Sequence, residues 1–393
     1  MELQALKADI AILGGGIIGA SIAWHLVESG QAGNIIVIEK DPTYEFAATP
    51  RGNGGIRQLF SLPTNIAMAQ YGLDYYANFE SRLSSSGSDV NSIGFKRQGY
   101  LFLSDTGDEK QMIANHATQV AEGVRADLLD AAALKARFPS LNVNDIAVAV
   151  HSPDDAWIDP YAALMEFRKA ATEAGCNFVK AEIADWQSDN GRATRVVLSS
   201  GDIIEADTFV LACGAWSAEI GAMIGLDLPV EPMSRESYFF RCQDDVEPLP
   251  FLKSESDLAI RPEADGYVGG VPNWSEQAGW NFQLSPEWFE ATVWPALAKR
   301  VPAMQTLKLE RTWRGHYARN RFDRSPIIGR WNSGCSNVVI ATGFSGHGIM
   351  HAPATGKVVS ELLLQGGYQT IDVDLFAYER LEKEQPALEI GIV

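Results

Sequence analysis

The chain has 393 residues, enough for about two domains, and its 46% hydrophobic and 21% charged residues are typical of a soluble globular protein. Its formal net charge is −18, from 32 Lys and Arg against 50 Asp and Glu, which disfavours binding to nucleic acid or to an anionic membrane surface. No apolar run approaches the ~20 residues that span a bilayer, so we expect no membrane span and a cytoplasmic location.

The N-terminal stretch predicts a β-α-β unit. The sequence indicates a strand at 9–13, a helix from about 17 to 29, and a second strand at 35–39. Because the first strand begins close to the N-terminus and leads directly into glycines, no cleavable leader is expected.

The turn between this strand and helix holds Gly14, Gly16 and Gly19 in the G-x-G-x-x-G pattern. Gly14 permits a tight turn, Gly16 lets a pyrophosphate approach the helix N-terminus, and Gly19 lets the helix pack closely on the strand. Glu39 ends the second strand, where a carboxylate accepts hydrogen bonds from an adenosine ribose. A glycine turn in an unrelated α/β protein is the alternative, and the pattern alone leaves NAD and FAD both open.

Later segments predict an α/β architecture interrupted by an antiparallel sheet. Helices are predicted at 65–83 and 160–174, a hairpin at 196–206 and a strand at 208–212, with a break at 84–88. Residues 229–324 alternate short apolar runs with prolines and tryptophans, which is typical of an antiparallel sheet, and a buried strand returns at 337–340. We therefore expect a nucleotide-binding domain assembled from residues 1–87, 146–228 and 325–393, and a second domain assembled from residues 88–145 and 229–324.

A second glycine-rich corner, "ATGFSGHGIMHAP" at residues 341–353, joins that last strand to a predicted helix. Gly343, Gly346 and Gly348 remove side chains where a ligand approaches the backbone. His347 and His351 are four residues apart, but no Glu follows His347 as the H-E-x-x-H zinc pattern requires, and the cysteines form no C-x-x-C pair. No metal is therefore expected. The G-x-S-x-G pattern of a hydrolase nucleophile also fails, because residue 347 is His.

Three motifs in register resemble one family. The N-terminal glycine pattern, "TFVLACGAWS" at 208–217 and "TGFSGHG" at 342–348 resemble the D-amino-acid oxidase superfamily of flavoproteins, in the branch of glycine oxidase, sarcosine oxidase and sarcosine dehydrogenase. "GGIRQLFSLPTNIAMAQ", "DDAWIDPY" and "VWPALAKRVPA" are further similar to FAD-dependent oxidoreductase-domain proteins related to the mitochondrial complex I assembly flavoprotein. The resemblance implies an α/β (α+β) fold, with an FAD-binding Rossmann-like domain built from discontinuous segments and a substrate-binding domain with a mainly antiparallel sheet.

The resemblance also implies FAD as the cofactor. Backbone amides of residues 346–350 would face the pyrimidine edge of the flavin, where a helix N-terminus stabilises the negative charge of the reduced ring. His347 is then either a structural hydrogen-bonding residue of the turn or a group that acts on the flavin directly. The implied cofactor-binding residues are Gly14, Gly16, Ile17, Ile18, Gly19, Glu39, Lys40, Gly54, Gly55, Ile56, Ile183, Ala212, Gly214, Trp216, Gly343, Gly346, His347, Gly348, Ile349 and Met350.

Noncovalent binding of the flavin is favoured. His316 falls near the position of the flavin-linking cysteine of sarcosine oxidase, so covalent attachment through His316 is the alternative. The histidine-linked relatives use a different, N-terminal position, which reads Arg51-Gly52 in this chain.

The catalytic residues that the resemblance implies include Arg57, which matches a family arginine beside the flavin ring. Three positions depart from the family pattern: Tyr317 stands where a W-x-G-L-R arginine is expected, Met350 replaces a lysine, and Phe60 replaces an arginine. These departures argue against simple glycine or sarcosine specificity. The full set of candidate catalytic residues is Arg57, Tyr267, His316, Tyr317 and Arg319.

Several arginines crowd one segment of this acidic chain, and guanidinium groups suit carboxylate ligands. The alternative is that several of them form surface ion pairs. The position of the oxygen-activating lysine of sarcosine-type oxidases falls on or next to Tyr267, which favours a dehydrogenase over an oxidase. The crowded arginines are Arg314, Arg319, Arg321 and Arg324.

The resulting prediction is an FAD-dependent amine oxidoreductase. It would oxidise the C–N bond of a secondary amino acid or N-substituted glycine by hydride transfer to flavin N5, and water would hydrolyse the imine. Its partners would be a small carboxylate-bearing amine and oxygen or another electron acceptor. One alternative is an FAD-binding assembly or chaperone-like protein with little turnover, and another is an NAD enzyme, which leaves "GFSGHG" unexplained.

Overall fold

The computed structural model describes residues 5–84, 89–107 and 109–391, so part of the predicted break at 84–88, and with it the boundary at 87–88, lies outside the described residues. In chain order the strands are β1 (Ala5–Leu13), β2 (Ile35–Glu39), β3 (Gly55–Ile56), β4 (Lys96–Arg97), β5 (Tyr100–Ser104), β6 (Asp127–Leu129), β7 (Val148–Ser152), β8 (Ala156–Trp157), β9 (Asn177–Lys180), β10 (Ile183–Asp189), β11 (Arg192–Leu198), β12 (Ile203–Leu211), β13 (Val230–Arg241), β14 (Phe251–Ser254), β15 (Ala259–Glu263), β16 (Gly266–Gly270), β17 (Lys308–Asn320), β18 (Ile327–Arg330) and β19 (Val338–Thr342). The helices are α1 (Ile17–Glu28), α2 (Ala48–Arg51), α3 (Pro63–Ala77), α4 (Phe79–Leu83), α5 (Glu109–Ala121), α6 (Ala131–Arg137), α7 (Pro160–Glu173), α8 (Ser217–Ala222), α9 (Pro286–Trp288), α10 (Trp294–Arg300), α11 (Gly348–Gln365) and α12 (Glu379–Glu382).

The first sheet is mainly parallel. β12 pairs in parallel with β1 along its length, and β2, β9 and β19 extend the parallel arrangement on either side. β2 and β19 are nearly continuous apolar runs because both faces of the sheet are covered there, and every residue of β19 is buried. Helices α1, α3, α7 and α11 pack against one another on one of these faces. The predicted β-α-β start and the predicted hairpin of β11 and β12 are confirmed.

The second sheet runs in the order β17, β13, β16, β15, β14, β5, β7, β6. Its neighbours are antiparallel except for β14 and β5, which are parallel. Side chains alternate between the two faces of a strand. One face therefore carries Tyr238, Phe240, Leu252 and Ile260 into an apolar core with α10, and the other face turns toward the first sheet. The expected mainly antiparallel second sheet is confirmed.

The chain passes between the two sheets several times, so each sheet is built from segments that are discontinuous in sequence. A small third sheet consists of three short strands in the order β3, β8, β4. β7 pairs with β5 and β6 of the second sheet, although a boundary at residue 146 would assign β7 to the nucleotide-binding domain. We therefore propose that this boundary falls between β7 and β8.

Close packing of α1 on α11 brings the two glycine-rich corners together. Ser21 of α1 donates a hydrogen bond from Oγ to the carbonyl oxygen of Ala352 in α11, at 2.8 Å. A Cβ atom on Gly356 would lie 2.4 Å from Ser21 Oγ, so only glycine permits this approach. Both helices start at the carboxyl ends of parallel strands, where open α/β sheets bind their ligands.

Candidate active site

A cavity of about 1010 Å³ lies between the two glycine-rich corners and the facing side of the second sheet. This volume is at the upper end of the ~300–1,000 Å³ of small-molecule sites. Most of the predicted site residues line it, namely Gly14, Gly16, Ile17, Ile18, Glu39, Lys40, Gly54, Gly55, Arg57, Ile183, Ala212, Gly214, Trp216, His316, Tyr317, Arg319, Gly346, His347, Gly348, Ile349 and Met350. The predicted residues that do not line it are Gly19, Ile56, Tyr267 and Gly343.

Three of those four residues support the cavity from behind. A Cβ atom on Gly19 would lie 1.9 Å from the carbonyl oxygen of Gly14, so this glycine permits the helix to pack on the strand. Gly343 has φ +71° and makes the turn after β19. Ile56 is fully buried in the core formed by the helices of the first domain. Their contribution to the site is therefore one of packing and backbone shape, and no contact with a ligand is proposed for them.

The first corner presents backbone to the cavity. Gly14 has φ +96°, and a Cβ atom there would lie 2.5 Å from the carbonyl oxygen of Ala212. A Cβ atom on Gly16 would meet no heavy atom within 4 Å. Gly16 is also the N-cap of α1, and no side chain caps the helix. The positive end of the α1 dipole therefore faces open space, which suits an anionic group such as a pyrophosphate.

Glu39 is fixed at the end of β2 by two backbone hydrogen bonds. The N–H groups of Gly15 and Asp41 each donate to its carboxylate oxygens at 2.9 Å. Burial raises the pKa of Glu39, and these two hydrogen bonds oppose that rise. The carboxylate retains acceptor capacity for hydroxyl groups of a ribose.

The second corner places the N-terminus of α11 against the cavity. Ser345 has φ +49° and Gly346 has φ +96°, so the backbone turns sharply before the helix begins. The Ser345 hydroxyl accepts a hydrogen bond from the backbone N–H of Asn320 at 3.0 Å, which fixes the turn to β17. His347 is the N-cap of α11, and no side chain caps this helix.

His347 and Arg57 are joined in this corner. Arg57 Nη2 lies 3.1 Å from His347 Nε2, and because a guanidinium group only donates, Nε2 accepts. The proton of the neutral ring is then on Nδ1, which is buried and makes no hydrogen bond to any described residue. Burial, followed by the charge of Arg57, holds the pKa of His347 well below its usual range. The neutral His347 ring therefore has an unused N–H donor at Nδ1, as expected of a residue that contacts a ligand.

Comparison with known proteins agrees with this geometry. The DAO family model, described as "FAD dependent oxidoreductase", matches residues 9–362. The chain belongs to this DAO family. It is 31% identical to FAD-dependent oxidoreductase domain-containing protein 1 of Xenopus laevis, over 100% of this chain and 86% of that protein. It is 28% identical to the 4-methylaminobutanoate oxidase (formaldehyde-forming) of Paenarthrobacter nicotinovorans, over 93% of this chain and 45% of that protein. Among solved structures, L-proline dehydrogenase from P. horikoshii superimposes with a TM-score of 0.87 at 28% identity, covering 97% of this chain and 100% of the other.

The chain is thus an FAD-dependent oxidoreductase, and the predicted cofactor and fold class are confirmed. The residues present fit FAD: the open space at Gly16 and the Glu39 carboxylate suit the ADP half, and the unmade hydrogen bond of His347 suits the flavin half. We propose that these corners hold the two halves of the DAO cofactor. His316 Nε2 accepts the backbone N–H of Asn281 at 3.0 Å, and Nδ1 makes no hydrogen bond to a described residue.

The second sheet covers the half of the cavity that we assign to the flavin. Alternation along β14 and β13 directs Phe251 and Lys253, and Arg235 and Ser237, toward the cavity. The predicted Tyr317 lies on the adjacent strand β17, and its hydroxyl accepts a hydrogen bond from Arg235 Nη2 at 2.7 Å. Burial raises the pKa of Tyr317, so its hydroxyl stays protonated at neutral pH.

Tyr267 is on the opposite face of this sheet. It pairs with Phe240 across β16 and β13 and stacks on that ring, with centroids 6.0 Å apart, in the core of the second domain. We therefore do not propose Tyr267 as a catalytic residue. Similarity to the family lysine position does not determine the register of β16. It therefore does not determine which face of the sheet Tyr267 occupies.

The predicted arginine cluster divides between ion pairs and solvent. Arg314 is buried and pairs with Glu236 at 2.5 Å and Glu276 at 2.7 Å, and Arg319 pairs with Glu231. Arg321 and Arg324 are exposed, and Arg324 also lines the cavity. Arg319 therefore forms a partly exposed ion pair, as the alternative predicted, whereas the ion pairs of Arg314 are buried inside the fold.

Two cavity residues, Lys253 and Arg235, were missed by the sequence reasoning. Burial, followed by the charge of Arg57, lowers the pKa of Lys253 to about 7. Arg235 stacks on Trp274, with its guanidinium carbon 4.2 Å from the ring centroid. A usable signal was present, because Lys253 is a charged residue inside the short apolar strand β14, two positions from Phe251 and thus on the same face.

Aromatic side chains surround the mouth of the cavity. Trp216 stacks on Trp280 at 4.2 Å between ring centroids, and Phe46 meets Phe282 edge to face at 5.0 Å. Lys40 lies over the Trp216 ring at 4.1 Å. These rings restrict access of water to the cavity from this side.

Within the part of the chain that the structure describes, no helix is both long enough and apolar enough to span a membrane. The cytoplasmic location inferred from the sequence stays a prediction.

Proposed function

We propose that this protein oxidises the C–N bond of a secondary amino acid or N-substituted glycine, giving an imine that water hydrolyses. The observation that carries this proposal is Arg57, which is 3% exposed, lines the cavity beside the second glycine corner, and has no carboxylate within 4.0 Å among the described residues. A buried guanidinium group without an ionic partner is costly unless a ligand supplies the anion. A substrate carboxylate is the matching anion.

FAD, when bound, supplies the hydride acceptor, and the protein contributes binding, orientation and electrostatics. Arg57 is oriented by its hydrogen bonds to the Leu59 carbonyl oxygen at 2.5 Å and to His347, and Phe60 lies below it at 4.1 Å. Such fixed geometry positions a carboxylate and with it the carbon that bears the amine.

The cations near this position also affect the substrate amine. Arg57, Lys253 and Arg235 all lie at this end of the cavity, and like charges disfavour a second cation nearby. The bound amine therefore loses its proton more readily than in water. A neutral amine has the lone pair that assists loss of hydride from the adjacent carbon, so no side-chain base is assigned.

We favour this proposal over an assembly or chaperone-like role with little turnover, because such a role does not require a buried, positioned guanidinium group in the cavity. The electron acceptor, oxygen or another molecule, is left open.

The test is anaerobic mixing of the purified holoprotein with N-alkyl glycines and secondary amino acids, following loss of the oxidised flavin absorbance. We expect bleaching by carboxylate-bearing secondary amines and none by the same amines with the carboxylate converted to an amide. Arg57→Met should lower kcat/KM by about 100-fold or more, since a charge-assisted bidentate contact is lost. Arg321→Met, at an exposed arginine outside the cavity, is the matched control and should leave kcat/KM unchanged. Bleaching that ignores the carboxylate would contradict the proposal.

A further inference from the structure

The flavin end of the cavity has more positive charge than one carboxylate requires. Its lining includes the cationic side chains Arg57, Arg235 and Arg324, with Asp257 as the carboxylate among them. This excess occurs in a protein whose formal net charge is −18. Other charges near the site are already matched, because Arg319 pairs with Glu231 and Arg314 with Glu236. The excess is therefore local and belongs to the cavity.

Arg235 is held in place without an ionic partner. Its Nη1 donates to the Ser234 carbonyl oxygen at 2.8 Å and its Nη2 donates to the Tyr317 hydroxyl at 2.7 Å. Trp274 stacks on the guanidinium group at 4.2 Å. In the described part of the chain no carboxylate lies within 4.0 Å of it. These contacts fix its plane while leaving N–H donors unused, which is the arrangement expected of a ready carboxylate-binding group.

Arg235 and Arg57 occupy different places in the cavity. Arg57 lies beside His347 at the second glycine corner, whereas Arg235 is on β13 near Tyr317. Lys253 lies on β14 and also lines the cavity. The Arg57 guanidinium carbon lies 5.3 Å from the ring centroid of Phe102 on β5. β5 and β13, which carries Arg235, are four strands apart in the sheet, so their backbones are separated by about 19 Å. One carboxylate cannot satisfy both guanidinium groups, but a molecule with a carboxylate at each end can.

We propose that the substrate is a dicarboxylate, an N-carboxyalkyl amino acid whose first carboxylate binds Arg57 and whose second carboxylate binds Arg235 beside Tyr317. This inference rests on the proposed function. It adds a specificity-determining residue, Arg235, and explains why the chain departs from the residues expected for simple glycine or sarcosine.

The test uses thioether analogues bound to the holoprotein. Replacing the amine by sulfur removes both the oxidisable C–N bond and the titrating amine. The diacids are thiodiacetate and the (carboxymethylthio) derivatives of propionate and butyrate, and each is compared with a monoacid in which the second arm is an alkyl chain of the same length. Binding is followed by the perturbation of the flavin visible spectrum and by tryptophan fluorescence, because Trp274 lies against Arg235.

We expect at least one diacid to bind about tenfold or more tightly than its matched monoacid, which corresponds to about 1.4 kcal/mol. Arg235→Met should reduce this diacid-to-monoacid ratio to near one, and Arg235→Lys should restore part of it. Arg57→Met should weaken binding of both classes. Arg321→Met, outside the cavity, should change neither. Flavin content and thermal unfolding of each variant show that the protein is folded.

Equal affinity of the diacids and monoacids at every arm length would overturn the dicarboxylate proposal, and so would an unchanged ratio in Arg235→Met. These outcomes are separate from failure of the proposed function. If no secondary amine bleaches the flavin, C–N oxidation is wrong whatever the analogues do. If monocarboxylate amines bleach it as efficiently as dicarboxylate amines, C–N oxidation stands and the dicarboxylate proposal is lost.

Discussion

Replacing Gly16 by alanine should separate FAD binding from folding. Gly16 has φ −64° and ψ −175°, which alanine adopts without strain, and its added Cβ would meet no protein atom within 4 Å. The apo protein should therefore be as stable as the wild type, or up to about 1 kcal/mol more stable because the unfolded chain loses freedom. The methyl group would, however, occupy the space where a pyrophosphate approaches the N-terminus of α1.

The expected loss of affinity follows from the contacts that the methyl group prevents. Losing one or two charge-assisted hydrogen bonds costs about 3 kcal/mol, which is about 100-fold in Kd. With FAD at about 100 times the wild-type Kd, binding stabilises the wild type by about 2.7 kcal/mol. The same FAD concentration would stabilise Gly16→Ala by only about 0.4 kcal/mol.

The assay is thermal and denaturant unfolding of apo protein with and without added FAD, together with direct titration by flavin fluorescence. Gly367→Ala is the matched control, because its Cβ also meets nothing within 4 Å and the residue lies outside the cavity. Gly14→Ala should instead destabilise the apo protein, since its Cβ would lie 2.5 Å from the Ala212 carbonyl oxygen. Wild-type affinity for FAD in Gly16→Ala would refute the assignment of this corner to the pyrophosphate, and an unfolded apo protein would refute the steric reasoning.

Three further predictions follow from the charged residues. Glu39→Gln should weaken FAD binding by about 10- to 100-fold, measured by fluorescence titration, because an amide cannot accept on both sides as the carboxylate does. The affinity for thiodiacetate should fall as the pH rises through about 7, because the Lys253 ammonium group loses its proton there. Lys253→Gln should flatten this pH dependence. If the pH dependence persists in Lys253→Gln, it belongs to another group. Arg314→Met should lower the free energy of unfolding by about 3–5 kcal/mol in denaturant titrations, because Glu236 and Glu276 are left without their partner, and Glu236→Gln in the same chain should recover part of the loss.

The two glycine corners that line the cavity could be predicted from the sequence because each is a local feature of the chain. Gly14 and Gly16 lie in one short turn between a strand and a helix, and their spacing alone predicts an approach of backbone to phosphate. The corner containing His347 is similarly local, being one strand end followed by one helix start. Both predictions needed only residues that are neighbours in the chain.

The substrate end was predicted less well because it depends on pairing between distant strands. Arg235, Lys253 and Tyr317 come from three separate strands, and each reaches the cavity only because the register of the second sheet directs it there. A shift of one residue along a strand moves a side chain to the other face of the sheet. Such a shift separates residues that line the cavity from residues such as Tyr267, which packs against the core of the second sheet. The sequence by itself therefore determined the flavin fold and both glycine corners. Only the tertiary structure decided which cations face the cavity, since strand register is fixed by long-range packing.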